Sequence, residues 1–231
     1  MNIRIAKFIS SAGFCSRREA EKLILDQKVL INGEICKHPS KKVNDQDIIK
    51  ISNRIIKKNK KLELWKMYKP VKYICSTKDS LKKRKKVFDL LPKNLPKLIS
   101  VGRLDYMSEG LLLFTNSGEY SRFLEMPSSN IERVYRVCIK GDVKKRDVYK
   151  VNRGIKIEGV SYNKVKLKVE KKTHDYVWLI FNLKEGKNRE IRNICNNFSW
   201  KINKLLRIGF GPYKLGKLKV GQVEKIKIIT K

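Results

Sequence analysis

Histidine is nearly missing from this chain, with only His38 and His174 among 231 residues. So small a supply leaves little for a His-ligated metal centre or a Ser-His-Asp triad. The five cysteines (Cys15, Cys36, Cys75, Cys138 and Cys195) are scattered, odd in number and form no C-x-x-C pair. That excludes a disulfide framework and argues against zinc. No apolar run approaches the ~20 residues of a membrane span. The opening Met1-Asn2-Ile3-Arg4 has no apolar signal core, so a soluble, unexported, cytoplasmic protein with no membrane partner is expected. Any chemistry must run on carboxylates, Tyr, Lys or Arg.

Acidic residues are scarce as well: 22 Asp+Glu stand against 55 Lys+Arg, a formal net charge of +33. A surplus that runs the whole length without an acidic counterweight points to a polyanion, most simply nucleic acid. Lys outnumbers Arg 41 to 14; bulk Lys also accumulates on solvated faces, so the Arg positions are the more informative as specific contacts. With 41% hydrophobic residues the chain is too apolar for a disordered polycation, and it is long enough for a small module joined to a medium domain.

The first fifty residues read as a compact unit. Ile5, Phe8, Ile9 and Ala12 have helical spacing, and Gly13 ends that helix. Ser16-Arg17-Arg18-Glu19 is a capping box opening a second helix, with Ala20, Leu23 and Ile24 as its buried stripe. Val29–Ile31, Asn32-Gly33 and Glu34–Cys36 read as a hairpin, and Ile48–Ile51 as a further strand. Two Arg at a helix N-terminus add cations to unpaired backbone donors, a place for RNA phosphates. This order, with Arg17 and Arg18 where they stand, resembles the small αL-type RNA-binding module of a small-subunit ribosomal protein.

Residues 53–61 are polar and lysine-rich, which suits a linker, and 82–86 (Lys-Lys-Arg-Lys-Lys) read as an exposed basic loop. Beyond them strands outnumber helices. Strands are expected at 64–68, 98–101, 111–115, 134–139, 165–169, 178–183 and 225–229, and helices at 119–125, 143–152 and 189–197. That pattern means an α+β fold with a mixed, mostly antiparallel sheet. Trp65, Trp178 and Trp200 are expected in the core, Cys195 as a small core residue, both histidines as solvated, and Asp45 and Asp47 in a turn.

The most informative stretch is Val101-Gly102-Arg103-Leu104-Asp105-Tyr106-Met107-Ser108-Glu109-Gly110, running into Leu111–Phe114 and Thr115-Asn116-Ser117-Gly118. A loop between buried strands holds a carboxylate at fixed geometry. Taken alone, Arg103 and Asp105 could equally be a surface ion pair of little worth. The string G-R-L-D-x-x-S-x-G-L-L-L-x-T-N-x-G resembles the catalytic motif of RNA pseudouridine synthases of the RsuA/RluB type. Glu132-Arg133-Val134-Tyr135, Glu185-Gly186-Lys187-Asn188-Arg189-Glu190-Ile191-Arg192 and Leu205-Leu206-Arg207-Ile208-Gly209 resemble that family's later segments, in the same order. Ser117 stands where the family often has Asp, and Asn193-Ile194-Cys195 where it often has further Arg.

The resemblance implies a module plus linker at 1–60 and a catalytic domain at 61–231. It places the catalytic aspartate on Asp105 and its basic partner on Arg192. Tyr135 falls against the base, Leu205 on the pocket lining, and Arg103 in the gap left by an everted nucleotide. Arg17, Arg18, Arg189 and Arg207 are the expected RNA-facing cations, and Glu109 receives no role. Isomerising uridine to pseudouridine oxidises nothing, so neither metal, redox group nor nucleotide cofactor is expected. The expected partner is ribosomal RNA or a pre-ribosomal particle, from the large subunit before the small, met by a monomer. A non-catalytic rRNA-binding or assembly protein is the rival. An N-glycosidase or nuclease is less well supplied, lacking a second placed carboxylate or evident metal ligands.

Overall fold

The computed structural model describes residues 2–57, 61–80 and 83–229. The chain forms two compact units: Met1–Glu63 with Asn94–Ile99 and Thr115–Gly118, and Leu64–Lys93 with Ser100–Phe114 and Glu119–Lys231. Among the described residues no helix is long and apolar enough to cross a membrane.

In the first unit, helix α1 (Ile5–Ser11) buries Ile5, Ala6, Phe8 and Ile9. Helix α2 (Arg17–Leu25) opens on the expected capping box: Glu19 N–H donates to Ser16 Oγ while Ser16 N–H donates to Glu19 Oε2. The hairpin forms as read, Val29–Ile31 pairing with Glu34–Ile35. Its two turn residues, Asn32 and Gly33, take φ of 53° and 94°, the left-handed pair that a type I′ turn needs. Asp47 accepts from the Asn32 side chain and the Asn44 amide, so it belongs to a turn. The stretch at 53–61 starts otherwise than expected. Arg54–Ile55 is a strand on the edge of Ile49–Ile51 with Ile55 left exposed, and Ile56 is buried, because one isoleucine of the pair still gains by reaching the core. Residues 58–60 lie outside the described residues.

The second unit is built on a mixed sheet, nine-stranded among the described residues. Its strands are β1 (Leu64–Lys69), β2 (Ile99–Val101), β3 (Glu109–Thr115), β4 (Arg133–Lys140), β5 (Lys166–Lys172), β6 (Val177–Leu183), β7 (Lys201–Phe210), β8 (Tyr213–Lys214) and β9 (Val223–Ile226). The order is β5-β6-β4-β7-β3-β1-β9, with β2 on β3 and β8 on β7. β4 runs antiparallel to both β6 and β7, whereas β7 meets β3 in parallel through Glu109↔Leu206 and Gly110↔Arg207. Helices α3 (Gly118–Glu125), α4 (Lys145–Arg153) and α5 (Glu190–Asn197) complete it. One core gathers Val137, Leu179, Phe181, Ile194, Cys195, Trp200 and Leu205, and a second Leu64, Leu111, Leu113 and Phe210.

Strand β7 carries no expectation from the sequence beyond its Leu205–Gly209 motif, yet it sits mid-sheet between β4 and β3. Trp200 is buried, but Trp178 is only half-buried, its ring 4.3 Å from the Arg136 guanidinium. An indole capped by a cation is stable at a surface. Of the expected basic loop, Lys82 lies outside the described residues, and Lys85–Lys86 form a short parallel pair with Tyr73–Ile74. Burial pushes the Cys195 thiol up to about 12, as befits an inert core cysteine.

Candidate active site

Between β2 and β3 the chain turns through Gly102, whose φ of +66° suits glycine, and presents Asp105 half-exposed. The turn closes locally, Ser108 N–H donating to the Asp105 carbonyl at 3.0 Å. Arg192 reaches it from the first turn of α5. Ile191, Ile194 and Cys195 anchor that helix in the core, which turns Arg192 toward the loop. Its Nε lies 3.4 Å from Asp105 Oδ2, and its Nη2 donates to Met107 O (3.0 Å) and Ser108 Oγ (3.1 Å). One guanidinium therefore holds both the carboxylate and the loop that carries it.

This pair opens on a cleft of 1320 Å³ whose lining includes Arg103, Tyr135, Leu205, Arg189 and Arg207. Tyr135 on β4 and Arg207 on β7 are cross-strand neighbours, and Leu205, two residues from Arg207, shares its face. Eight cationic side chains line the cleft (Lys78, Arg84, Arg103, Arg133, Lys187, Arg189, Arg192 and Arg207) against Asp105, Glu125, Glu185 and Glu190. Such a balance concentrates a polyanion. Arg103 and Arg189 are exposed. Arg207 is not: it is 2% exposed, and its Nε donates to Leu111 O at 2.7 Å. Arg17 and Arg18 are exposed in the first unit, at the start of α2. Among the described residues no three His, Cys, Asp or Glu side chains gather as metal ligands.

A model for RNA pseudouridylate synthase matches residues 63–197, and a model for the S4 domain matches residues 3–49. The chain is 45% identical to an RNA pseudouridine synthase of Rickettsia typhi, over 99% of this chain and 94% of that one. It is 40% identical to ribosomal large subunit pseudouridine synthase B of Buchnera aphidicola, over 96% and 89%. A crystal structure of a pseudouridylate synthase superposes with a TM-score of 0.69 at 25% identity, covering 97% of this chain and 96% of that one.

The chain belongs to the RNA pseudouridine synthase family. Its chemistry is the isomerisation of uridine in RNA, and its first unit carries an S4 RNA-binding domain.

Several groups that shape this synthase's cleft escaped the sequence reading. Arg133, buried on β4, donates to the carbonyls of Ile131, Lys184, Glu185 and Glu125, clamping the loop ahead of α5. Glu190 accepts from the Gly186 and Lys187 amides, so the same loop is held from its other end; burial raises the Glu190 carboxyl above its usual range. Cys75 Sγ meets both N–H and C=O of Leu104, the residue between Arg103 and Asp105. Glu109, to which the motifs give no role, accepts from Tyr68 OH at 2.9 Å and pairs with Lys204 at 3.3 Å.

Lys69 is fully buried, its Nζ donating to Ser108 O (2.7 Å) and Pro70 O (2.9 Å). Burial lowers its ammonium to about 8 from 10.5. Between those values the unfolded chain binds the proton and the folded one does not, so this group adds stability as pH rises through that window. Lys69→Met removes the effect. The stability difference between wild type and variant should move in favour of wild type from pH 8 toward 10, measured by urea unfolding; a flat difference would contradict it.

Proposed function

We propose that this synthase isomerises one uridine of ribosomal RNA, of the large subunit, with Asp105 as its catalytic carboxylate. The observation that carries the reading is the 3.4 Å contact between Arg192 Nε and Asp105 Oδ2 on the wall of a cation-rich cleft. A facing guanidinium keeps a short, rigid carboxylate oriented for attack or proton abstraction. The reaction breaks the C1′–N1 bond, forms C1′–C5, takes a proton from C5 and returns one to N1. Electrons balance within the substrate, so no redox cofactor is called for.

A uridine inside folded RNA is out of reach and must be everted. Arg103, exposed beside Asp105, fills the gap left behind. Tyr135 lies against the uracil face, where stacking contributes on the order of 1–3 kcal/mol. Leu205 lines the pocket, and Arg189, Arg17 and Arg18 meet phosphates. The large-subunit choice follows the Buchnera relative's name. We place the boundary between RNA-binding and catalytic parts near residue 60, and the protein in the cytoplasm as a monomer.

The test is large-subunit rRNA transcribed with 5-tritiated uridine. Tritium release and one uridine newly reactive to carbodiimide in an intact strand support the reading. Tight binding without release favours an assembly protein, and free uracil a glycosidase. Arg17→Gln with Arg18→Gln should flatten the dependence of log affinity on log salt by about 0.7–0.9 for each phosphate the variant no longer neutralises. An unchanged slope in filter binding would remove both residues from the RNA interface.

A further inference from the structure

Three buried polar atoms on the lining of this cleft have no hydrogen-bond partner among the described residues, two acceptors of one carboxylate and one donor. The acceptors are Glu185 Oε1 and Oε2, of which Oε2 has an ion-pair contact, 2.7 Å from Lys187 Nζ, and Oε1 has none. The donor is Arg207 Nη2, on a guanidinium packed 5.2 Å from the Phe210 ring. Arg133 ties the two together: it donates to the Glu185 carbonyl and lies 5.1 Å from the same ring. Native proteins rarely leave such groups unmet, and a site that holds a polar ligand is a place where they do. Tyr135, the cross-strand neighbour of Arg207, supplies a flat face at that spot.

We propose that Arg207 and Glu185 read the Watson–Crick edge of the everted uracil, Arg207 donating to a carbonyl oxygen and Glu185 accepting from N3–H. The inference rests on the cleft being the site of uridine isomerisation. Uracil offers carbonyl, N–H, carbonyl along that edge. Cytosine offers a bare N3 instead, which would set its lone pair against the Glu185 carboxylate, so the pair selects uracil. The same pair suits the turn that the reaction requires. Exchanging N1 for C5 is a half-rotation of the freed base about its N3–C6 axis. That rotation leaves N3–H in place and swaps O2 with O4. An acceptor on the axis and a donor beside it are therefore satisfied equally before and after, and the base can turn without losing its hold. While it is detached, the electron pair from the C1′–N1 bond lies partly on the carbonyl oxygens, where the Arg207 charge steadies it.

The test uses a fragment of the rRNA substrate in which the target is either 5-tritiated uridine or 5-tritiated 3-methyluridine. A methyl on N3 removes the donor and collides with Glu185. Wild type should release tritium from the methylated fragment with kcat/KM lower by on the order of 10- to 100-fold. Glu185→Ala, which removes the acceptor and makes room, should bring the two fragments to within about threefold of each other, whereas Arg207→Gln should slow both and leave their ratio as in wild type. Thermal unfolding checks that the variants fold; the comparison of fragments with wild type stands without them. Equal rates by wild type, or an undiminished gap in folded Glu185→Ala, would overturn the inference while leaving isomerisation intact. Absence of release from the plain uridine fragment would instead overturn the proposed isomerisation of rRNA itself.

Discussion

Asp105→Asn should lower the tritium-release rate at saturating rRNA by on the order of 10⁴-fold or more, the scale seen when a reacting carboxylate or hydroxyl is removed from its partners. Asparagine has the same shape and still offers Oδ1 to Arg192 Nε, so Arg192 keeps its hold on Met107 O and Ser108 Oγ. RNA affinity should stay within about threefold, because the phosphate-binding cations are untouched. Single-turnover kinetics beside filter binding separate the two quantities. Turnover equal to wild type would take Asp105 out of the chemistry, and affinity falling in step with rate would mean that the substitution had disturbed the fold.

Gly110→Ala should be the most damaging substitution by a single methyl. A Cβ at this position would stand 2.3 Å from Arg207 O and 2.9 Å from Arg207 N, and its φ is +103°. The obstacle is backbone, in the parallel pairing of β3 with β7 at Gly110↔Arg207, so no side-chain rotation relieves it. Overpacking and a disfavoured φ together should cost upward of about 3 kcal/mol, to be read from urea unfolding. The same clash pushes on Glu109 and Ser108, and through Ser108 on Arg192. Activity should therefore fall even in preparations that remain folded. A variant as stable and active as wild type would show that the two strands part more easily than the structure implies.

What was legible in the sequence lay where a signal is local. The Ser16–Glu19 capping box, the Asn32-Gly33 turn and the unbroken Leu111–Phe114 run each state their conformation within four residues, because caps, turns and buried strands are decided by neighbours along the chain. Asp105, Arg192, Tyr135 and Leu205 could be singled out because each stands in a short ordered motif, and all four line one cleft. Strand β7 was hidden. Lys201-Ile202-Asn203-Lys204 carries two lysines and Gly209 interrupts the run, so neither clean alternation nor apolar length marks it. It becomes a strand because β4 and β3 flank it and take up its backbone groups.

Sequence alone thus determined the class of the molecule: a basic RNA-binding module ahead of an α+β domain with one carboxylate in a named loop. Tertiary structure decided which side chains meet: Arg192 with Asp105 across 87 positions of chain, Arg133 with the 184–186 loop, and Lys69 beneath Ser108. It also turned Arg207 inward from where an arginine would ordinarily meet solvent. Periodicity reports which face of an element is apolar. Only the packing of several elements reveals which polar groups end up buried, and which partners they find there.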